Sequence, residues 1–174
     1  MAARVVVDSS VLIVLAKLRR LQLLRAVYGA VLLGPVVYHE VVAQGQRLHA
    51  RGVEQVEQAI EASWLQVVRP SAGEQKLTVR LLRTTRLDDG EAEALAVASR
   101  RKLLLVVDDK EARHVAEALG IEYIGTAGML LEAYLRKHLT IDGLEDAMTD
   151  LTRVLWLSPS VVTAILKRAR EAKP

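Results

Sequence analysis

Short runs of apolar, largely β-branched residues alternate along this chain with longer stretches in which apolar residues recur three and four positions apart. The runs VVV at 5–7 and LLLVV at 103–107 are continuous, which is typical of strands buried on both faces. Strands that alternate with helices form βαβ units and hence a parallel sheet. The pattern predicts an α/β domain with a central, mostly parallel sheet of about five strands flanked by helices.

The two periodicities also predict where each element lies. Strands are expected at Val5–Val7, Val31–Leu33, Leu65–Val68, Leu103–Val107 and Glu122–Ile124. Helices are expected at Val11–Tyr28 (one or two), Val36–Gln44, Val53–Ser63, Gln75–Arg83, Glu91–Arg101, Glu111–Leu119, Met129–Lys137, Leu144–Leu155 and Val161–Ala172. The segment RPSAGEQ at 69–75 is expected to be a surface loop.

The organisation of the chain follows from these elements. Residues 1–140 are expected to form one domain. Residues 141–174 are expected to form a helical C-terminal extension that packs on the same domain or on a dimer partner. Its apolar stripe is predicted to contain Leu151, Leu155 and Trp156.

The composition limits the chemistry that a site can use. The chain has no Cys and only four scattered His, so a metal would be a hard ion held by oxygen, such as Mg²⁺ or Mn²⁺. No apolar run approaches the ~20 residues that span a bilayer, and no secretory signal is evident, so we expect a cytoplasmic protein without membrane association. The net charge of +3 is compatible with a nucleic-acid partner and does not establish one.

Two of the predicted strands end in acidic residues. Asp8 follows the first strand, and Asp108 and Asp109 follow the fourth. Ligands of an open parallel sheet bind beyond the carboxyl ends of its strands, so these carboxylates are expected to meet at one edge. The alternative for Asp8 is a simple cap of the next helix.

Two acids on predicted helices can join this group. Glu40 lies in the apolar helix PVVYHEVVAQG, and Glu91 opens a helix after LDDG. Each has a simpler explanation, because Glu40 fits a solvated face and Glu91 fits the favourable charge at a helix N-terminus. Converging carboxylates, however, repel one another unless a cation is present, and two divalent ions also stabilise in-line displacement at phosphorus. The combined set predicts metal-dependent phosphodiester chemistry.

The ordered motifs VVVDSSVLI, DDGEAEAL, VVDDKEAR and GTAGMLL resemble the PIN domain, the metal-dependent ribonuclease fold that includes the VapC-like toxins. The resemblance covers roughly residues 4–137 and is nearest to an uncharacterised prokaryotic branch. It implies an endoribonuclease that uses Mg²⁺ or Mn²⁺ and acts on RNA. It also implies a homodimer, and an antitoxin protein as partner where such a chain is the toxin of a toxin–antitoxin pair.

The resemblance assigns roles to particular residues. It makes Asp8, Glu40, Glu91 and Asp109 catalytic, with Asp8, Glu91, Asp109 and Asp108 as the metal ligands. Val107 stands where the family pattern has a hydroxyl, so the fourth acid is Asp108 or Asp109, with Asp109 favoured. Ser10 would position Asp8, and Thr126, with the amides at the start of the following helix, is predicted to hold a phosphate.

Two other functions compete with this one. A phosphatase of the haloacid dehalogenase type also places an acid after its first strand, but it needs a second Asp two positions later, where this chain has Ser10. The second competitor is a PIN-fold module without catalysis that binds RNA or a protein. Lys17, Arg19 and Arg20 are predicted contacts for an RNA backbone, and their alternative role is to solubilise a helix.

Overall fold

The computed structural model describes residues 4–172 and contains a five-stranded sheet in which every pair is parallel. The strands are β1 (Arg4–Val7), β2 (Ala30–Leu33), β3 (Leu65–Val67), β4 (Leu104–Val106) and β5 (Tyr123–Ile124). The α/β class and the five-stranded parallel sheet are thereby confirmed, with strand positions that agree with the predictions to within one residue at most ends.

The strand order β3-β2-β1-β4-β5 reverses direction between β1 and β4. The chain builds outward from β1 to β3 and then returns to the other side of β1 for β4 and β5. A reversal of this kind opens a crevice at the carboxyl ends of the two central strands. The amide of Asp8 donates to the carbonyl oxygen of Val106 at 3.1 Å, which brings the ends of β1 and β4 side by side.

Helices cover both faces of the sheet. They are α1 (Ser9–Lys17), α2 (Gln22–Tyr28), α3 (Pro35–Tyr38), α4 (Gln44–Arg47), α5 (Val53–Glu61), α6 (Ala72–Thr84), α7 (Asp89–Arg101), α8 (Lys110–Leu119), α9 (Thr126–Leu135), α10 (Ile141–Val154) and α11 (Pro159–Ala172). Within residues 4–172, no helix is both long and apolar enough to cross a membrane.

The side chains of the central strand divide between two apolar layers. Val5 and Val7 pack with α1, α2, α5 and α9, whereas Val6 packs with α7 and α8 on the opposite face. All three are buried to within 1% of full burial, as continuous apolar strands predict. Helices α10 and α11 both lie against α9, and α10 contributes Leu144 and Leu151 to the first of these layers while α11 contributes Ala169.

Two local expectations differ from the structure, and a third, which allowed one helix or two, is resolved in favour of two. The segment 69–75 is not a loop throughout, because α6 begins at Ala72 and is capped by Ser71 and Glu74, each side chain accepting from the other residue's amide. The stretch 11–28 forms two helices, and Arg19 between them has a left-handed φ of 55°. Trp156 does not join the apolar stripe of α10, because that helix ends at Val154 and leaves the indole 85% exposed.

The predicted helix 36–44 is interrupted by a wider turn. Helix α3 leads into a π-helical turn, His39–Ala43, before the α-helical pattern resumes in α4. Such turns insert an i→i+5 hydrogen bond into an α-helix and are common at functional sites. Glu40 lies within this turn, while its neighbours Val41 and Val42 are buried.

Candidate metal centre

Asp8 is the buried acid at the centre of the carboxyl edge. Its Oδ2 accepts hydrogen bonds from the hydroxyl of Ser10 at 2.5 Å and from the Ser10 amide at 3.3 Å. Asp8 therefore caps α1, as the simpler explanation predicts, but this role uses one oxygen only. Asp8 is 2% exposed, and its Oδ1 is buried without a hydrogen-bond partner. An unpaired buried carboxylate oxygen is costly and needs a ligand.

The pKa of the Asp8 carboxyl reflects this position. Burial raises it above its usual range, and this effect outweighs the hydrogen bonds from Ser9 and Ser10 that lower it. The negative charge of Asp88 raises it further. The carboxyl of Asp8 is thus influenced by the negative charge of Asp88, which lies on a different loop.

Glu91 is held at the start of α7 by a reciprocal cap. Its amide donates to Asp88 Oδ1 at 2.8 Å, and its Oε2 accepts from the Asp88 amide at 3.0 Å. This is a capping box, which fixes both side chains at the helix N-terminus. Burial raises the pKa of Glu91 to about 7, with further contributions from the charges of Asp88, Asp109 and Asp8. The first-turn explanation for Glu91 is therefore correct, and the side chain also lies within electrostatic range of three other acids.

Glu40 reaches the same region from the π-helical turn. Its Oε2 lies over the start of α7, so close that a Cβ added to Gly90 would stand 2.7 Å from it. Burial raises the pKa of Glu40, although a hydrogen bond from Ser9 lowers it in part. The charges of Asp88 and Asp8 raise the pKa further. The helical acid is thus half-buried beside the strand-end acid rather than on a solvated face.

The two acids after β4 have different partners. Asp108 accepts from the Thr126 amide at 2.8 Å, from the Thr126 hydroxyl at 2.5 Å and from Arg113 Nη2 at 3.2 Å. Asp109 caps α8 through the Ala112 amide at 2.8 Å, and its charge acts on Glu91. The carboxylate of Asp108 is thus bound by groups of α8 and α9. Asp109 is the acid of this pair whose negative charge raises the pKa of Glu91.

The remaining predicted residues lie at the start of α9 and around the end of α1. Thr126 is fully buried and bonded to Asp108, so in this structure a carboxylate occupies the position at the α9 N-terminus where a phosphate was expected. Arg20 forms an ion pair with Asp150 of α10 at 3.3 Å, which ties it to the fold. Lys17 and Arg19 are exposed at the end of α1.

Three residues near the acids were not assigned a role from the sequence, although Glu93 was weighed as an alternate acid. Asp88 acts on Asp8, Glu40 and Glu91, and its position three residues before Glu91 in DDGE is a capping-box pattern that marks it. Ser9 hydrogen-bonds Glu40, with no sequence pattern to show it. The third is Glu93, which is 5% exposed and accepts from the Val36 amide at 3.0 Å. Glu93 supplies α3 with a cap that its own N-cap residue, a glycine, lacks.

The fit of a hard divalent cation can be tested on these atoms. Among residues 4–172, no three His, Asp or Glu side chains are already close enough together to hold a metal ion. Three of the acids, Asp8, Glu91 and Asp109, take part in helix caps. The donor chemistry nevertheless fits Mg²⁺ or Mn²⁺, because every nearby acid offers carboxylate oxygen and Asp8 Oδ1 is buried without a partner.

The raised pKa of Glu91 predicts a pH-dependent stability in the absence of metal. Its folded value of about 7 lies above the ordinary value of 4.5, so the folded protein holds this proton more tightly than the unfolded chain does. The resulting stabilisation is complete below about pH 4.5 and is lost as the pH rises through 7. Because Glu91 is half-exposed, solvent screens part of the effect.

We expect Glu91→Gln to remove this dependence. With chelator present, the variant and the parent should melt together near pH 5, and the variant should melt about 3 °C higher at pH 8. The matched control is Glu61→Gln, an exposed glutamate on α5, which should leave the profile unchanged. Melting curves at several pH values measure this, and a constant offset between Glu91→Gln and parent would contradict the prediction.

Comparison with known proteins gives one match along the sequence. A family model described as "DUF3368: PIN domain" matches residues 4–171. Among solved structures, the chain is similar to a toxin–antitoxin complex from Klebsiella pneumoniae, with 18% identity and a TM-score of 0.45. That similarity covers 62% of this chain and 88% of the other. No curated protein matches the chain.

Proposed function

Because this chain belongs to the PIN-domain family, whose members are typically nucleases, we propose that it is a divalent-metal-dependent endoribonuclease. The family itself is the one that the four sequence motifs indicate, and membership removes the haloacid dehalogenase-type phosphatase from consideration. The observation that carries the proposal is the unpartnered Oδ1 of Asp8, buried at the point where the strand order reverses and within electrostatic range of Asp88, Glu40 and Glu91.

Asp8, Glu91 and Asp109 would hold the cation, with Glu40 holding a second ion or orienting the attacking water. The charges of Asp8 and Asp109 both act on Glu91, which supports grouping these three. Asp108 is the weaker choice for the fourth acid, because Thr126 and Arg113 already bind its carboxylate. When bound, Mg²⁺ or Mn²⁺ would supply stabilisation of the charge that develops on the phosphoryl oxygens.

The protein side chains would position the reacting groups and assist proton transfer. Water adds to phosphorus and loses one proton, the bond between phosphorus and the leaving oxygen breaks, and the leaving oxygen takes up one proton, so that one water molecule is consumed for each bond that is cut. Glu40, held on the π-helical turn with a raised pKa, is suited to accept a hydrogen bond from this water. Ser10 keeps Asp8 in one orientation through its short hydrogen bond to Oδ2. The amide caps of α7 and α8 fix Glu91 and Asp109 in the same way.

The test is cleavage of single-stranded RNA by the purified chain. Labelled RNAs of mixed sequence and total cellular RNA should be cut with Mg²⁺ or Mn²⁺ and left intact with chelator. The competing function is a PIN-fold module without catalysis, which all four acids argue against. Binding of RNA without cleavage of any substrate in either metal would favour that module and overturn the nuclease.

The biological setting is part of the proposal. A cytoplasmic toxin of a toxin–antitoxin pair is the role that the resemblance to VapC-like toxins supports, with an antitoxin protein as partner. A homodimer stays a prediction, supported by three exposed apolar side chains close together in sequence: Val154, Trp156 and Val161. If a second copy covers them, Trp156→Ser should halve the mass measured by light scattering. An unchanged mass, or a parent that is already monomeric, would contradict the dimer.

A further inference from the structure

A cleft opens beside Glu40, between the end of α1 and the loop that precedes α5. It consists of two adjoining cavities, which we call the α1–α5 cleft. The inner cavity, of about 250 Å³, is lined by Glu40 and by apolar side chains, and the outer one, of about 860 Å³, extends past Arg19. Lys17 and Arg51 line both cavities. A path therefore leads from basic residues to one of the candidate site acids.

The inner cavity has an apolar wall. Ile13 of α1, Val41 of the π-helical turn and Val53 of α5 contribute to it, and Leu48, 77% exposed, stands at its edge. The cavity is of a size and character that suit a small flat group rather than a charged one. Glu40 is the acidic residue that lines it.

The rim of the α1–α5 cleft is basic. Lys17, Arg19 and Arg51 are all exposed, and within residues 4–172 none of them forms an ion pair. The acid on this rim is Glu54, so cations outnumber acids there. Unpaired cations next to a group of carboxylates are what a polyanionic ligand requires, because the acids alone would repel it.

The backbone holds the two sides of the cleft together. Arg19 and His49, on opposite sides, have left-handed φ values of 55° and 49°. Gly52 has a φ of 93°, and a Cβ there would stand 2.7 Å from the carbonyl carbon of Ala16. The loop before α5 therefore lies directly on the end of α1, and left-handed residues without glycine are uncommon outside constrained sites.

We propose that the α1–α5 cleft binds the single-stranded RNA segment next to the cleaved phosphate. Backbone phosphates contact Lys17 and Arg51, and one base enters the apolar cavity beside Glu40. The inference rests on the proposed ribonuclease function and adds to it the path of the substrate. It assigns Arg51 and Leu48, which the motifs do not mark, to RNA binding, and it separates Lys17 from Arg20, which is paired with Asp150.

The experiment measures RNA binding without cleavage. Fluorescein-labelled decamers of A, U and C are titrated with the full chain in chelator, and fluorescence anisotropy is recorded from 50 to 300 mM salt. Lys17→Ala combined with Arg51→Ala should weaken binding about tenfold at low salt. It should also lower the salt slope by about 1.4, since each phosphate contact on a single strand contributes about 0.7.

Two further variants separate the base from the backbone. Leu48→Ser should weaken binding about threefold and leave the salt slope unchanged, because it removes apolar contact and no charge. The control, Lys76→Ala with Arg80→Ala, removes two exposed cations of α6 that do not line the cleft, and should bind RNA as the parent does. All five substituted positions are exposed, so we expect folding to be preserved, and melting curves check this.

The outcomes distinguish this inference from the function on which it rests. If the parent cleaves RNA with metal and the Lys17 and Arg51 variant binds with unchanged affinity and slope, the cleft is not the RNA path, and a protein segment becomes its occupant. If the control pair weakens binding as much as the cleft pair does, the assignment to this cleft is overturned. If the parent neither binds nor cleaves any RNA, the proposed function fails together with the inference.

Discussion

Asp8→Asn is expected to lower metal-dependent RNA cleavage by about 10³-fold while raising the melting temperature of the metal-free protein. The carboxylate is 2% exposed and leaves Oδ1 unpaired, so removal of its charge takes away the most deeply buried of the candidate oxygen ligands. The same substitution relieves repulsion, because the charge of Asp8 raises the pKa of both Glu91 and Glu40. Loss of activity with gain of stability is the pattern of a site whose charges serve a ligand rather than the fold.

The two effects are measured on the same preparations. Cleavage rates are compared with Mg²⁺ and with Mn²⁺, and melting is compared in chelator and in millimolar metal, where the parent should gain stability that the variant lacks. Asp146→Asn is the matched control, an exposed aspartate on α10, and should change neither quantity. A variant that cleaves as fast as the parent would place the activity elsewhere or in a contaminant. RNA binding by Asp8→Asn in chelator should persist, because the cations of the cleft are intact.

Gly34→Ala is expected to be strongly destabilising, by about 3 kcal/mol or a fall of about 10 °C in melting temperature. A Cβ at this position would stand 1.8 Å from Glu93 Oε2, which is too close for any real contact. Glu93 is buried and accepts from the amide of Val36 at the start of α3. Displacing it removes that cap and shifts the helix that continues into the turn carrying Glu40, so cleavage by the remaining folded protein should fall as well.

Two comparisons show whether the cap is responsible. Gly73→Ala lies in the first turn of α6, where a new Cβ meets nothing nearer than 4.0 Å, and it should be neutral or slightly stabilising. Glu93→Gln keeps an oxygen that can accept from the Val36 amide, so it should cost much less than Gly34→Ala. Equal melting temperatures for Gly34→Ala and Gly73→Ala would show that the contact with Glu93 is not tight in solution.

The sheet and its acidic edge were predictable because their causes are local. A strand buried on both faces requires a continuous apolar run, and Val5–Val7 and Leu103–Val107 are such runs. The acids that follow them must then lie at the carboxyl edge, and the structure places Asp8 and Val106 within one hydrogen bond of each other. The sequence also marks Asp88 through its capping-box spacing with Glu91.

Other parts of the site were not predictable because they depend on contacts between distant segments. Glu93 caps Val36 across 57 positions, and Asp108 caps Thr126 across 18. Both helices begin after a glycine that offers no side-chain cap, so their first turns are completed by carboxylates from elsewhere. Periodicity therefore starts α9 at Met129 rather than at Thr126, where the structure begins it. No local pattern indicates that Asp108 fills this position.

The π-helical turn at His39–Ala43 has a consequence for how such a chain can change over generations. An α-helix rotates by about 100° per residue, so loss of a single codon within this turn would restore the regular helix and rotate one part against the other by about that angle. Val37 before the turn and Val41 and Val42 within it are all buried, and their packing resists that rotation. After such a rotation these valines could not all stay buried, and Glu40 would move away from the other acids. A short deletion would thus remove the activity proposed for this chain while every candidate acid remains in its sequence.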